Sequence, residues 1–166
     1  MPELKDKEAR GYTFEVADAS LELLMRRAEG WRQPFFDVES FRASIDAREG
    51  HDTVAEATVK VRAGGERHIA TAEGNGPVSA LDNALRKALG STYPQLDDMT
   101  LADYRVRVLD EKLGTGAVVR VLIDTGDGEK EWTTVGVSDN VIEASWEALV
   151  DSMLFGLLHP RGERGA

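Results

Sequence analysis

Hydrophobic and polar residues change their spacing several times along the chain, and each change marks a predicted element. Residues 18–29 (DASLELLMRRAE) carry four apolar residues at helical spacing: Leu21, Leu24, Met25 and Ala28. Asp18 is a candidate cap for this helix and Gly30 a candidate stop. A helix this short is unstable alone, so its apolar side is expected to pack on another part of the chain.

The spacing changes to a period of two after Gln33-Pro34. Apolar and polar residues alternate over Phe35–Ala47 and again over Thr53–Arg62, which is typical of strands with one buried face. A hairpin signal, Ala63-Gly64-Gly65-Glu66, leads into a third strand at Arg67–Glu73. Helical spacing returns over Pro77–Gly90. The pattern therefore predicts three antiparallel strands followed by one helix.

The second half of the chain has the same plan. Strand patterns occupy Tyr104–Leu109, Ala117–Thr125 and Glu131–Val137, and a helix pattern occupies Asn140–Leu157. Asn140 with Glu143 three residues later resembles a capping box at the start of that helix.

The two halves also resemble each other residue by residue. Ala70–Leu89 reads ATAEGNGPVSALDNALRKAL, and about 64 residues later Thr134–Met153 reads TVGVSDNVIEASWEALVDSM. Such self-similarity indicates a duplicated unit. We predict an α+β fold of two pseudo-symmetric βββα units, preceded by a short helical linker subdomain. One face of each sheet should pack on its helix, and the remaining faces and edges favour a homodimer.

Composition restricts the function. Hydrophobic residues make up 42% of the chain and charged residues 30%, with a net charge of −10. An acidic chain without a basic stripe is a poor partner for nucleic acid. No apolar run approaches the roughly 20 residues that cross a bilayer, and no cysteine is present. We expect a cytoplasmic protein that binds neither nucleic acid nor membrane.

The usual catalytic patterns are absent from the sequence. The three histidines, His51, His68 and His159, lack metal-ligand spacing, and surface positions in solvent are expected for them. Neither a G-x-S-x-G motif nor a P-loop occurs. A stand-alone small enzyme therefore has no supporting motif. The three tryptophans, Trp31, Trp132 and Trp146, are expected in the core or in an interface rather than against a ligand.

One turn could bind a ligand. Gly74-Asn75-Gly76 directly precedes the helix that starts at Pro77. Backbone N–H groups at such a helix start can hold a carboxylate; alternatively, the glycines only permit a tight turn with positive φ. The second copy has Gly136-Val137-Ser138-Asp139-Asn140 at the corresponding place, and its polar groups suit an ammonium. Together the two turns would fit a free amino acid.

Taken in order, GNGPVSALDNALRKAL, LADYRV and VGVSDNVIEASWEALVDS resemble the C-terminal regulatory domain shared by 2-isopropylmalate synthases and citramalate synthases. GYTFEVADASLELLMRRAEGWRQPFF resembles the linker subdomain that precedes it, and WTTVGVSDNVIEASWEAL is closer to the citramalate branch. The resemblance runs from Gly11 to about Leu158. It implies a linker subdomain at 1–33 and a regulatory domain at 34–166, the latter divided into βββα units at 34–96 and 100–159 and a tail at 160–166.

The resemblance also implies a function. Enzymes of this family condense acetyl-CoA with a 2-oxo acid, pyruvate in the citramalate case, on a TIM barrel that holds a divalent metal. A barrel of roughly 250 residues does not fit in this sequence, so we expect no catalysis, metal or cofactor in this chain itself. The family's regulatory domain dimerises and binds a branched-chain amino acid, typically isoleucine in citramalate synthases and leucine in 2-isopropylmalate synthases.

In the family this effector lies near the dimer interface, between the two βββα units. The matching positions here are Gly74, Asn75, Gly76, Ser79, Val108 and Ala117. Two alternatives stay open at this stage. The chain could be the regulatory domain of a leucine-sensitive 2-isopropylmalate synthase, or a purely structural dimerisation domain without a ligand.

Overall fold

A computed structural model describes residues 2–109 and 117–162 of the chain. Within this part there are four α-helices, six strands and a short 3-10 turn at Pro94–Asp98. In chain order, the elements are α1 (Pro2–Ala9), α2 (Asp18–Ala28), β1 (Phe36–Asp46), β2 (Val54–Ala63), β3 (Glu66–Gly74), α3 (Pro77–Leu89), β4 (Thr100–Leu109), β5 (Val118–Gly126), β6 (Glu131–Ser138) and α4 (Val141–Leu158). The predicted α+β class is confirmed, whereas α1 was not predicted.

The duplication is confirmed element by element. β1 and β4, β2 and β5, and α3 and α4 each begin 64 residues apart. Each sheet has three antiparallel strands in sequence order, β1-β2-β3 and β4-β5-β6. The first strand of each sheet contains a bulge, between Val38 and Ser40 and between Leu101 and Asp103. The chain therefore contains two βββα units with the same irregularity in the same place.

The chain divides into two compact units, Gln33–Asp97 on the one hand and Met1–Arg32 with Asp98–Ala166 on the other. The N-terminal segment thus belongs with the second βββα unit. The linker and regulatory domain bounds at residues 33 and 34 stay a prediction, because compactness does not separate a domain from a segment that packs on it.

In the unit Gln33–Asp97, α3 lies on one face of the β1–β3 sheet. Alternate residues of β2 are buried against it, among them Ala57, Val59 and Val61. α3 contributes Leu81, Leu85 and Leu89, which are also fully buried. The predicted hairpin joins β2 to β3 through Gly64 and Gly65, whose φ angles of 60° and 80° suit a two-residue turn.

In the second unit, α4 is buried along most of its length, from Ala144 to Leu157. Trp132 of β6 is buried beneath it and donates its ring N–H to the Ser152 carbonyl at 3.0 Å. Trp146 is buried as predicted, and Trp31 is partly buried beside Arg26. No helix in the described ranges is long and apolar enough to span a membrane.

The ends of α2 are set by contacts that the sequence predicted only in part. Ala17 occupies the cap position without a side-chain bond, so the prediction that Asp18 caps the helix is wrong. The Asp18 carboxylate instead accepts the N–H groups of Ala19 and of Thr133 in β6. The predicted stop is confirmed: Gly30, with φ of +91°, ends the helix in a Schellman motif.

The start of α4 confirms the predicted cap but not the capping box. The side-chain oxygen of Asn140 accepts the N–H groups of Ile142 and Glu143 at 2.8 and 3.3 Å. Glu143 does not reach back to the Asn140 N–H. That N–H donates to the Ser138 hydroxyl oxygen, and the hydroxyl in turn donates to Glu143. A serine two residues before the cap therefore takes the place of the reciprocal bond.

The apolar side of α2 packs on the second βββα unit, as part of what we call the N-terminal arm (residues 2–29). Its small core consists of Tyr12, Phe14, Ala17 and Leu24 of the arm with Val135 of β6. β6 is an edge strand, and the arm covers its outer edge. Asp18 and Ser20 accept the N–H groups of Thr133 and Val135, which protects this edge from pairing with another strand.

Candidate functional site

The Gly74-Asn75-Gly76 turn lies between β3 and α3, and its two glycines have different surroundings. A Cβ on Gly74 would lie 2.4 Å from the Ala80 backbone nitrogen, so this position has to be small because α3 passes over it. A Cβ on Gly76 would meet nothing within 4 Å, and its φ of −161° is open to any residue. Neither glycine has a positive φ. The interpretation of this turn as a positive-φ turn is therefore wrong.

The first turn of α3 presents backbone donors. Gly76 occupies the cap position and has no side chain to accept them, and Pro77 has no N–H. The Ala80 N–H donates to the Gly76 carbonyl. The N–H groups of Val78 and Ser79 meet no capping side chain in the described part of the chain. An uncapped helix start of this kind attracts an anion through its donors and its dipole.

α4 starts at the corresponding position of the second copy but differs in this respect. There the Asn140 side chain already accepts two of the first-turn N–H groups. The two repeats are therefore not equivalent as anion sites. The first-turn donors of α3 have no side-chain cap, and those of α4 have one from Asn140.

An open groove of about 610 Å³ runs beside the α3 start. Three predicted site residues, Gly74, Asn75 and Ser79, line it. The other lining residues come from the β1–β2 connection, the start of β2, the end of β3 and α3: Asp52, Thr53, Val54, Glu73 and Asn83. The groove thus combines backbone donors for a carboxylate with two carboxylates, Asp52 and Glu73, that suit an ammonium.

Sequence reasoning missed Asp52, Glu73 and Asn83. Asn83 donates its amide to the Glu73 carbonyl at 2.9 Å and ties α3 to the end of β3. Asp52 lies more than 20 residues before the turn, in the connection between β1 and β2. Because the start of β2 pairs with the end of β3, the β1–β2 connection lies near the turn that follows β3. This antiparallel topology was the signal that could have found Asp52.

The two remaining predicted site residues belong to the other compact unit. Val108 lies near the end of β4, opposite Val119 of β5, with 57% of its surface exposed. Ala117 lies directly before β5 and is partly buried. The structure therefore gathers Gly74, Asn75 and Ser79 in one groove, with Gly76 beside them, and places Val108 in β4 and Ala117 directly before β5.

A second groove, of about 370 Å³, occupies the corresponding place in the second copy. Val118, Val137, Ser138 and Asp139 line it, and each lies 64 residues after a residue that lines the first groove. Gly11 of the arm also lines it, and its carbonyl accepts the Arg120 side chain at 2.8 Å. The Ser138 hydroxyl is already bonded to Glu143. This groove has fewer polar groups to offer an amino acid.

The three histidines lie in three different places: in the β1–β2 connection beside Asp52, in β3, and directly after α4. His51 is exposed as predicted and His68 is partly buried. The prediction of a solvent position is wrong for His159, whose Nε2 lies 2.6 Å from the Glu22 carboxylate and whose ring packs 4.6 Å from that of Phe155. Over residues 2–109 and 117–162, no group of three potential metal ligands comes together.

The first strand of each sheet has an apolar stripe on its helix-facing side that its own helix leaves partly uncovered. The stripes consist of Phe41, Ala43 and Ile45 in β1 and of Tyr104, Val106 and Val108 in β4, which pair with inward-facing residues of β2 and β5. Ile45 is 58% exposed and Val106 46% exposed. Exposed apolar stripes of this kind are typical of association surfaces.

A duplicated βββα fold with an open polar groove and uncovered apolar strands has the features of a regulatory, self-associating module. The chain belongs to the family of the LeuA allosteric (dimerisation) domain, whose model matches residues 15–155. The predicted resemblance is thereby confirmed.

Several relatives are larger enzymes. The chain is 54% identical to an (R)-citramalate synthase of Streptomyces coelicolor, over 93% of this chain and 29% of that protein. It is 52% identical to the (R)-citramalate synthase of Geobacter sulfurreducens, with the same two shares. A 2-isopropylmalate synthase of Aquifex aeolicus is 31% identical, over 90% of this chain and 27% of that protein. The chain thus spans less than a third of these relatives' length.

Proposed function

We propose that this chain is the feedback-regulatory and dimerisation domain of a citramalate synthase, an acetyl-CoA-dependent 2-oxo acid acyltransferase, and that it binds isoleucine. The observation that carries the proposal is the uncapped start of α3, where the N–H groups of Val78 and Ser79 lie beside a groove lined by Asp52 and Glu73. A free amino acid has the two charges that these groups complement.

The pairing of charges gives an orientation for the ligand. The α-carboxylate would accept the two N–H groups at the positive end of α3. The ammonium would lie toward Asp52 or Glu73, and the small Ser79 side chain would leave room for a four-carbon side chain. The family resemblance also assigns Val108 and Ala117 to the effector-binding set.

Identity to the relatives supports isoleucine over leucine as the effector. The chain is 54% identical to a citramalate synthase and 31% identical to a 2-isopropylmalate synthase, and the resemblance associates isoleucine with the former. Leucine and isoleucine differ only in methyl placement, which is worth about 1–3 kcal/mol in an apolar pocket. We therefore expect a preference rather than absolute exclusion.

Calorimetric titration of the purified chain with isoleucine, leucine and valine tests the proposal. Isoleucine should bind most tightly, and at about 100 times its dissociation constant it should add about 2.7 kcal/mol of stability. Preferred binding of leucine would favour a 2-isopropylmalate synthase. Binding of none of the three at millimolar concentration would favour a purely structural dimerisation domain.

Gly76→Asp is the sharpest variant for locating the site. The extended backbone at Gly76 accepts any residue, and an aspartate at a helix cap is favourable. The new carboxylate would take the Val78 and Ser79 donors and repel the ligand carboxylate. Isoleucine binding should vanish while the fold persists. Ile69→Asp adds the same charge on the sheet face away from α3 and should bind normally; unchanged affinity in Gly76→Asp would place the site elsewhere.

The homodimer is part of the same proposal, supported by the uncovered apolar stripes of β1 and β4. We also place the acyl transfer in the part of the relatives that lies outside the match. On that account, the chain alone should release no thiol from acetyl-CoA when pyruvate or 2-oxoisovalerate is present. Measurable release in a thiol assay would contradict it.

A further inference from the structure

Two carboxyl groups of α4 fasten the N-terminal arm to the second βββα unit. Glu147 and Asp151 lie four residues apart, on one face of the helix. The Tyr12 hydroxyl donates to Glu147 at 2.5 Å, and an Arg27 guanidinium nitrogen lies 3.0 Å from Asp151. The Ser20 hydroxyl donates to the second oxygen of Asp151 at 3.4 Å. We call these five residues the arm joint.

The arm joint is shielded from solvent except at Arg27, whose side chain is 43% exposed. Asp151 is only 8% exposed, Tyr12 is buried and Glu147 is partly buried. The cavity between the arm and α4 measures about 20 Å³, enough for one water molecule. Bulk water therefore does little to screen the two carboxyl groups from each other.

The two carboxyl groups of the arm joint differ in their direct partners. Arg27 is paired with Asp151. The Lys7 ammonium also lines the cavity, but it lies over the Tyr12 ring, 4.4 Å from the centroid. Glu147 is bonded to neutral donors, the Tyr12 hydroxyl and the Val137 N–H. Asp151 thus has a charged hydrogen-bond partner and the partly buried Glu147 has only neutral ones, while the nearby Lys7 charge has a smaller effect that favours the ionised form of both.

Burial and charge repulsion both favour the protonated form of this carboxyl pair. Burial raises the pKa of Glu147, and the charge of Asp151 raises it further, while the hydrogen bond from Tyr12 works against both. Burial also raises the pKa of Asp151 against the opposing effect of Arg27. Like charges four residues apart on a helix repel even at its surface.

We propose that the docked arm joint holds one proton on the carboxyl pair formed by Glu147 and Asp151, so that docking of the arm takes up a proton and weakens as pH rises. When the arm is undocked, the carboxyl groups of Glu147 and Asp151 on α4 are solvated, and solvated carboxyls titrate near pH 4. The docked joint binds more protons above that pH. The docking constant should therefore be constant below about pH 4, fall by at most about tenfold per pH unit above it, and level off once the docked pair has ionised.

Other charged groups near the arm require a control. His159 of the α4 end pairs with Glu22 of α2 at 2.6 Å, and Arg10 lies in the segment before Tyr12. His159→Gln removes the His159–Glu22 pair and leaves Glu147 and Asp151 intact. Glu147→Gln removes the extra carboxylate and keeps an oxygen that can accept the Tyr12 hydroxyl.

Hydrogen–deuterium exchange of the full chain between pH 5.5 and 8.5 measures docking, after correction for the intrinsic pH dependence of exchange. Protection of the α2 amides should fall with pH more steeply than that of the α3 amides in the same sample. Glu147→Gln should flatten this difference, and His159→Gln should keep it. Equal pH profiles for α2 and α3, or an unchanged slope in Glu147→Gln, would overturn the proposal.

Infrared spectroscopy of the wild-type chain provides a readout that does not depend on the folding of a variant. A protonated carboxylic acid has a C=O stretching band that ionised carboxylates lack. Above about pH 4, where solvated carboxyls are ionised, the wild-type chain should still show this band, and it should disappear as the pH is raised through the range in which α2 loses protection. Absence of the band at every pH above that value would also overturn the proposal.

Discussion

At the scale of single residues, two glycines let a helix backbone lie directly on a strand. A Cβ on Gly136 of β6 would come within 1.8 Å of the Ala144 carbonyl oxygen, and one on Gly74 within 2.4 Å of the Ala80 nitrogen. Neither glycine has a positive φ. Their function is therefore close packing, and backbone cannot move aside as the end of a flexible side chain does.

Gly136→Ala should consequently be among the most destabilising single substitutions in the chain. We expect a loss of about 3 kcal/mol in the free energy of unfolding, at the upper end of overpacking effects, measured by urea denaturation. Gly76→Ala is the matched control, because its Cβ would meet nothing within 4 Å. It should change stability by less than about 0.5 kcal/mol; similar losses in both variants would refute the packing account.

At the scale of elements, the two repeated helices begin in different ways. α4 has a side-chain cap from Asn140, and α3 begins behind Gly76 with no such cap. The difference matters because α4 carries both carboxyl groups of the arm joint, whereas α3 borders the proposed ligand groove. The cap from Asn140 stabilises the start of α4 without a ligand. The start of α3 has no such cap, so a bound anion would stabilise it.

Asn140→Ala should remove two hydrogen bonds from the start of α4 and destabilise the chain by about 1 kcal/mol. Thermal and urea unfolding measure the loss. Asn75→Ala removes the same side chain from the other turn, where it caps no helix, and stability should stay within about 0.5 kcal/mol of wild type. An equal loss in the two variants would show that the cap of α4 contributes nothing specific.

At the scale of the whole molecule, the uncovered stripes of β1 and β4 are the surfaces that we expect the proposed dimer to bury. Both lie on the helix-facing side of their sheets, and Ile45 and Val108 are each more than half exposed. The opposite face of the first sheet is polar over much of its area, with Glu56, Lys60 and Arg62 on it. The apolar side is therefore the expected dimer face.

Ile45→Asp should shift the proposed dimer toward monomer. An unpaired charge in a dry interface costs about 3 kcal/mol, or roughly a hundredfold in the dissociation constant. Ile69→Asp is the matched control: Ile69 lies in the same sheet and is 55% exposed, but it faces away from α3. Analytical ultracentrifugation distinguishes the variants. A monomeric wild-type chain, or equal behaviour of the two variants, would contradict the assignment of the dimer face.

Most of the elements could be predicted because their signals are local. Alternation in β2 and helical spacing in α3 each reflect one buried face, and the repeat doubled the evidence for both. α1 was missed because it has no buried residue and thus no apolar periodicity. Its helix comes from the propensity of Glu, Lys and Ala alone, which is a weaker signal.

The sequence by itself determined the duplicated βββα plan and the turn where Gly74, Asn75 and Ser79 meet, since these depend on neighbours along the chain. Only the tertiary structure decided which polar groups of the arm pair with groups of β6 and α4. Asp18 accepts an N–H of β6, and Tyr12 and Ser20 reach α4 residues more than 130 positions away. Such contacts leave no periodic trace, because each depends on where the packed elements place one donor beside one acceptor.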